Sequence, residues 1–300
     1  MKKIMVCLLL MLAVFMPYEA WSQAALVFQT DFGLKDGAVA SMKGVAFGVS
    51  PDLKMYDITH EIPAFDIWAA AYQLKMTMPY WPAGTVFVSV VDPGVGTERK
   101  SIVLKTQTGH YVVTPDNGTV TLIAEEMGIE EVRVIDETKY RRPGSEKSYT
   151  FHGRDLYAYT GAHLASGEVS FEAIGPVLDT DVIMIPYQQP TFDGTAVLGT
   201  IPILDVQFGN VWTNIDEATF QQLGVDTGEQ LNVQITHGDT LVFEGVMPFV
   251  NTFGDVPEGE NLAYMNSLLN LAFAINMDNF AATYGIASGP DWHVKITKAE

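Results

Sequence analysis

Up to about residue 186 the chain alternates short apolar runs with longer segments whose apolar positions recur at helical spacing. The runs at 26–29, 53–59, 85–91, 101–106, 111–114 and 131–135 predict strands. Segments 37–48, 66–78 and 119–127, and the stretch leading from Asp155 through Ala165, predict helices. The run 85–91 is continuous and rich in β-branched residues, as befits a strand buried on both faces of a parallel sheet. This alternation, carried on to Ile183-Met184-Ile185, implies an α/β unit with a mainly parallel sheet and helices on both faces.

The pattern changes at Pro186-Tyr187-Gln188-Gln189-Pro190-Thr191-Phe192-Asp193-Gly194, which reads as a linker. Beyond it, 195–204, 231–236, 240–246 and 293–297 predict short strands, with little helix until 261–270. The expected organisation is an N-terminal α/β domain over 25–186, a linker over 187–194 and a smaller β-rich domain, barrel or sandwich, over 195–300.

Composition alters that picture at the N-terminus. Lys2-Lys3, an apolar run from Ile4 to Met16, Pro17 and then Ser22-Gln23-Ala24 form the pattern of a secretory signal peptide with cleavage after Ala24. The apolar run is shorter than the ~20 residues a bilayer-spanning helix needs, so the mature chain is expected to be exported, periplasmic or secreted, and free of the membrane. The single cysteine, Cys7, lies within that segment, which leaves no thiol for a disulfide, a metal site or a nucleophile. Removing Lys2, Lys3 and Glu19 leaves 15 basic against 35 acidic residues, a formal charge of -20. Such a chain repels phosphate backbones, so nucleic acid is not an expected partner. No carboxylate, histidine or cysteine group has metal-ligand spacing, and neither a nucleophile elbow nor a P-loop is present.

The candidate chemistry lies where strands end. Val91-Asp92-Pro93-Gly94-Val95-Gly96-Thr97-Glu98-Arg99 leaves the run 85–91 through a glycine turn that can return Arg99 towards Asp92. The pair is either an acid and a base sharing one water or a surface ion pair closing a turn. Asp31, in Thr30-Asp31-Phe32-Gly33, can accept the two hydrogen bonds of a ribose diol or serve an Asx turn or helix cap. Phe151-His152-Gly153-Arg154-Asp155 hands a histidine to a helix start, where it can orient or deprotonate a water, while Arg154-Asp155 can be a local pair. His60 reads as a satisfied loop histidine, and Trp68 and Tyr72 as core. Residues 139–147 form a polar connection without obvious chemistry. In the second half, Asp205, Phe208 and Asn210 share one loop, and Phe253 lies in another. Two Phe-Gly loops can sandwich a planar base while Asn210 reads its edge, or simply anchor loops.

Taken in order, these motifs, with Pro115-Asp116-Asn117-Gly118, Phe208-Gly209-Asn210-Val211-Trp212-Thr213-Asn214 and Asn266-Ser267, make the chain resemble the S-adenosyl-L-methionine hydroxide adenosyltransferases, relatives of the fluorinase and chlorinase enzymes. The resemblance spans about residues 26 to 300. It implies a Rossmann-like N-terminal domain, a C-terminal β-barrel, and a homotrimer whose sites lie between the N-terminal domain of one subunit and the C-terminal domain of the next. It also implies attack of water or hydroxide on ribose C5′ of S-adenosyl-L-methionine, the substrate, with no cofactor. By the same match Asp92, Arg99 and His152 resemble a water-handling triad, Asp31 the ribose acid and Phe65 the cover of the sugar. Phe208 and Phe253 would flank adenine, Asn210 bond its edge, and Asp205 pair with the methionine ammonium. Ser267 joins the substrate-binding set, but Leu268 follows it where the halogenases carry an arginine that helps to hold the methionine carboxylate. The halogenases place other residues at the positions of Asp92 and His152, and the fluorinase has an extra loop where this chain has only the turn 107–110. The competing readings are an exported nucleoside-binding protein without turnover and a halogenase.

Overall fold

The computed structural model describes residues 24–299. The signal peptide expected over 1–24 therefore lies, apart from Ala24, outside the described residues. In chain order the first half consists of β1 (Leu26–Thr30), α1 (Ala38–Val49), β2 (Met55–Thr59), α2 (Ile67–Thr77), β3 (Val86–Val90), β4 (Ser101–Thr106), β5 (Tyr111–Pro115), α3 (Thr121–Met127), β6 (Ile129–Val134), α4 (Glu137–Tyr140) and α5 (Tyr159–Ser166). The six strands form one sheet in the order β2-β1-β3-β5-β4-β6. Its four strands β2, β1, β3 and β5 run parallel, while β4 is antiparallel to both of its neighbours.

Strand parity explains why helices cover both faces. Leu26, Phe28, Val86, Val88 and Val90 point into a cluster with Met42 and Ala46 of α1 and Ala162 of α5. Val27, Phe87, Ile102, Leu104 and Val112 point the other way, against Leu74 of α2 and Ile123 of α3. Every residue of β3 is buried, so it has no polar side and needs none. Close packing sets α5 down on it: a Cβ added at Gly161 would lie 2.5 Å from Val88. Ile183-Met184-Ile185 joins no strand; instead the Ile183 N–H donates to Asp116 and the Ile185 N–H to the Thr121 hydroxyl.

The second half holds β7 (Thr191–Phe192), β8 (Val197–Ile201), β9 (Ile203–Asp205), β10 (Asn210–Asp216), α6 (Glu217–Gln221), β11 (Gln230–His237), β12 (Thr240–Pro248), β13 (Asn261–Met265), β14 (Asn270–Ile275), α7 (Phe280–Tyr284) and β15 (Gly289–Lys298). These strands form two antiparallel sheets, β13-β14-β10-β9 and β12-β11-β15-β8-β7, facing a shared core that includes Val211, Ile235, Phe273 and Ile296. The expected β-barrel is thus not closed: among the described residues the sheets are bridged only at Phe249 and Ala263. One cause is Pro202, which has no N–H to donate and splits the expected strand 195–204 into β8 and β9, passing the chain from one sheet to the other.

A second correction concerns 261–270, which is not a helix but strand β13 and a turn leading into the first residue of β14. Leu262 and Tyr264 face one apolar cluster and Ala263 another, a period of two that only the pairing with β14 reveals.

Candidate active site

β3 delivers Asp92 to the carboxyl edge of the sheet, and two overlapping turns bring the chain back. The Val95 N–H donates to the Asp92 carbonyl at 3.2 Å and the Thr97 N–H to the Gly94 carbonyl at 3.1 Å. Gly96 has φ +80°, and a Cβ there would lie 2.9 Å from the Tyr149 carbonyl oxygen, so only glycine fits. From the neighbouring turn, the Asn117 side chain donates to the Val91 carbonyl at 2.9 Å and fixes the strand end.

Arg99 then meets Asp92 in a bidentate pair, Nε to Oδ1 at 2.7 Å and Nη2 to Oδ2, with both side chains largely buried. This is a fork-to-fork geometry that specifies orientation as well as charge. It is therefore not the exposed surface pair that the sequence left open. Arg99 also donates Nη1 to Ser101 at 3.0 Å, and Ser101 shares a 3.1 Å hydrogen bond with the Tyr157 hydroxyl. The Tyr157 ring lies under the guanidinium, 5.7 Å from centroid to Cζ. Burial is the largest single influence and works against the Arg99 charge, but the bond to Asp92 together with the charges of Asp92, Tyr157 and Glu137 outweighs it and raises the guanidinium above its ordinary value.

His152 completes the cluster. It begins a π-helical turn, Gly153–Ala158, that runs into α5. Its Nδ1 lies 3.1 Å from Arg99 Nη2, and its Nε2 lies 3.0 Å from Nη2 of Arg141. Burial lowers the imidazole below its ordinary value, and the positive charges of Arg141 and Arg99 lower it further, so the neutral ring is favoured. The π-turn is held by Asp155, fully buried, which accepts bonds from Arg142 at 2.9 Å and from Arg154 at 2.8 and 2.7 Å.

Arg141 is the residue that sequence reasoning missed. It lies in the polar connection 139–147, held by Glu137 Oε2 at 2.7 Å and the Ser148 carbonyl at 3.2 Å. The only signal was its place in the basic group Lys139-Tyr140-Arg141-Arg142, which says nothing of where the guanidinium points.

A pocket of about 250 Å³ opens beside the cluster, lined by Asp31, Phe65, Asp92, Phe151 and His152 among others. Asp31 caps no helix; its Oδ2 accepts the Phe65 N–H at 2.9 Å and ties two loops together. Phe65 has φ +70°, uncommon for an aromatic residue, and its ring is 71% exposed. His60 lies outside this pocket, its Nδ1 hydrogen-bonded to Thr30 at 2.8 Å and its Nε2 3.1 Å from Asp57 Oδ1 without the geometry of a hydrogen bond.

Asp205, Phe208, Asn210, Phe253 and Ser267 line a second pocket, of about 670 Å³, in the C-terminal half. There Asn210 Nδ2 donates to Asp205 at 3.1 Å, and the Phe253 ring is 4.9 Å from that of Tyr264. Phe208 is 66% exposed at its rim. The two pockets share no residue, so within one chain the expected site residues form two groups. Leu268 belongs to neither pocket; it packs against Ala71, Tyr72 and Leu122 in the cleft between the halves.

The chain matches the S-adenosyl-L-methionine hydroxide adenosyltransferase N-terminal domain over residues 26–175 and the corresponding C-terminal domain over residues 199–293. It is 40% identical over 202 residues to the (R)-S-adenosyl-L-methionine hydrolase of Methanocaldococcus jannaschii, covering 65% of this chain and 69% of that one. It is 30% identical over 296 residues to the fluorinase of Nocardia brasiliensis, covering 90% and 96%. The crystal structure of an uncharacterized conserved protein from Thermotoga maritima superposes with a TM-score of 0.83 at 35% identity, covering 91% of this chain and all of that one. Two matching domains in this order, and relatives at this identity across both halves, mean that the chain belongs to the S-adenosyl-L-methionine hydroxide adenosyltransferase family.

Proposed function

We propose that this protein hydrolyses S-adenosyl-L-methionine to adenosine and L-methionine. The observation that carries the reading is the buried cluster of Asp92, Arg99 and His152 opening onto a pocket lined by Asp31 and Phe65. The sulfonium is already a good leaving group, so the work of the site is to hold a desolvated water in line behind C5′, which orientation can favour by ~7–11 kcal/mol. The water oxygen bonds to C5′ as the C5′–S bond breaks, and that electron pair leaves on sulfur as the methionine thioether. The water proton passes to an acceptor of the cluster and on to solvent. Arg99 and the neutral His152 hold and polarise the water, and Asp92 accepts its proton or orients it.

In the same reading Asp31 holds the ribose hydroxyls, with Phe65 over the sugar. Phe208 and Phe253 flank adenine, Asn210 bonds its edge, Asp205 pairs with the methionine ammonium and Ser267 bonds the methionine end. Because the two groups of residues line separate pockets, each with an exposed aromatic at its rim, the complete site joins the N-terminal pocket of one copy to the C-terminal pocket of the next in a homotrimer. Export follows from the N-terminal signal pattern.

The similarity to fluorinases favours one second reading, nucleophilic attack by a halide. Against it, a carboxylate faces the pocket where an anion would have to enter, and residues 107–110 form only a tight turn between β4 and β5. Incubating the purified protein with S-adenosyl-L-methionine is expected to release adenosine and methionine. The rate should fall by about 100-fold or more in Asp92→Ala, in the range lost with a proton-handling group. No adenosine from the wild type, or undiminished turnover in Asp92→Ala, would overturn the reading; a 5′-halo nucleoside formed with added halide would favour the alternative.

A further inference from the structure

Both ring nitrogens of His152 face guanidinium groups, Nδ1 that of Arg99 at 3.1 Å and Nε2 that of Arg141 at 3.0 Å. A guanidinium has only donors, whereas a neutral imidazole has one N–H and one lone pair. An imidazolium, with an N–H on each side, would meet two donors and two positive charges. Each arginine is itself held through the same nitrogen that reaches the ring: Arg99 Nη2 by Asp92, Arg141 Nη2 by Glu137.

We propose that Arg141 is a positioning residue of the water-handling cluster: it closes the second ring nitrogen of His152 and, together with Arg99, leaves room only for an imidazole that keeps a lone pair. The cluster then extends beyond Asp92, Arg99 and His152 to Glu137 and Arg141, and His152 takes part as a hydrogen-bond acceptor rather than as an acid. Of the two guanidiniums Arg99 is the more firmly fixed, by two bonds to Asp92 and one to Ser101. Arg141 depends on one half-exposed carboxylate and a 3.2 Å bond to a carbonyl. Arg141 is accordingly the partner that yields when a water or substrate reaches Nε2. The other charged groups about the ring are Asp92 and Asp31 in the pocket, and the Arg154–Asp155 pair on its own turn.

The proposal builds on the hydrolase reading but is tested without it, by following the His152 ring through a pH titration with ¹⁵N-detected NMR in wild type, Arg141→Met, Arg141→Gln and Arg141→Lys. In the wild type the ring stays neutral below the ordinary histidine range. Both neutral variants are expected to raise its midpoint by about half a pH unit or more, while Arg141→Lys, which keeps the charge, leaves it near wild type. With S-adenosyl-L-methionine as substrate, kcat in all three should fall about tenfold or more through lost orientation, with KM within about twofold. In the two neutral variants the acid limb of the pH profile should move up with the midpoint. A folded Arg141→Met or Arg141→Gln with an unmoved midpoint overturns the proposal. Should neither neutral variant fold, Arg141→Lys decides: reduced kcat at constant KM supports it, and wild-type kcat overturns it. If wild-type protein forms no adenosine, the functional reading fails while the titration still tests the role of Arg141.

Discussion

At the scale of single residues, the feature that governs the site is a histidine held neutral by its neighbours. Burial and two guanidiniums lower the His152 pKa below its value in an unfolded chain, which is near ~6.5. The sign for activity is direct. The unprotonated ring persists as the pH falls through the ordinary histidine range; if that ring is the working form, kcat/KM should stay level below pH ~6.5 and drop only at lower pH. For stability the same shift acts against the fold in acid. Below pH ~6.5 the unfolded chain takes up a proton that the folded one resists, so this residue lowers stability as the pH falls. Replacing His152 by Gln should remove that part of the acid destabilisation, measured as a smaller loss of urea midpoint between neutral pH and pH ~5. An equal loss in both proteins would contradict the assignment. The sequence singled out His152 but left its role open, because the decisive contact, with Arg141, is made by a side chain from a connection that looked featureless.

At the scale of elements, the π-helical turn Gly153–Ala158 is what aims His152, and Asp155 is what holds the turn. Burial by itself would raise the Asp155 carboxyl, but the bonds from Arg154 and Arg142 win and hold it at about 2. Its folded pKa lies below the unfolded value of ~3.9, so its stabilising contribution is fully present above pH ~4 and is lost as the pH falls through about 2. Asp155→Asn leaves two arginines facing an amide, and is expected to destabilise the protein by about 3 kcal/mol near neutral pH, as removing one partner of a buried pair does. Chemical denaturation of both proteins measures this, and the difference should shrink as the pH falls from ~4 towards ~2. A difference that stays constant over that interval would show that the carboxylate charge is not what stabilises the turn. Sequence spacing marked Arg154 and Asp155 as a pair; that Arg142 shares the same carboxylate required the fold.

At the scale of the whole molecule, the separation of the candidate site residues into two pockets bears on assembly. Asp92 lies in the N-terminal pocket and Asn210 in the C-terminal pocket, and no residue lines both. If each complete site joins one half from each of two copies, Asp92→Ala and Asn210→Ala proteins should each be nearly inactive alone. Unfolded together in equal amounts and refolded, they should regain roughly a quarter of wild-type activity, the share of interfaces in random mixing that pair two intact halves. Light scattering of the wild type should report three copies. A mixture no more active than its components would mean that the site does not join the halves in this way.

The N-terminal strands and the turn from Asp92 to Arg99 were legible in the sequence because their signals are local. A continuous β-branched run, a proline and a glycine at φ +80° dictate a buried strand ending in a tight return whatever surrounds them. The strands β13 and β14 were not legible, since a short stretch such as Asn-Leu-Ala-Tyr-Met suits either helix or strand until a neighbouring strand supplies its hydrogen bonds. The sequence left barrel and sandwich open for the second half, because the division into two sheets turns on where Pro202 lets the chain cross between them. By itself the sequence singled out Asp92, Arg99 and His152 as candidates for the chemistry, and the fold brings the three together. Tertiary structure alone decided that Arg141 closes the far side of the imidazole and that Asp92 and Asn210 line different pockets. Both depend on contacts between segments distant in the chain or in space, which no local pattern of polar and apolar positions encodes.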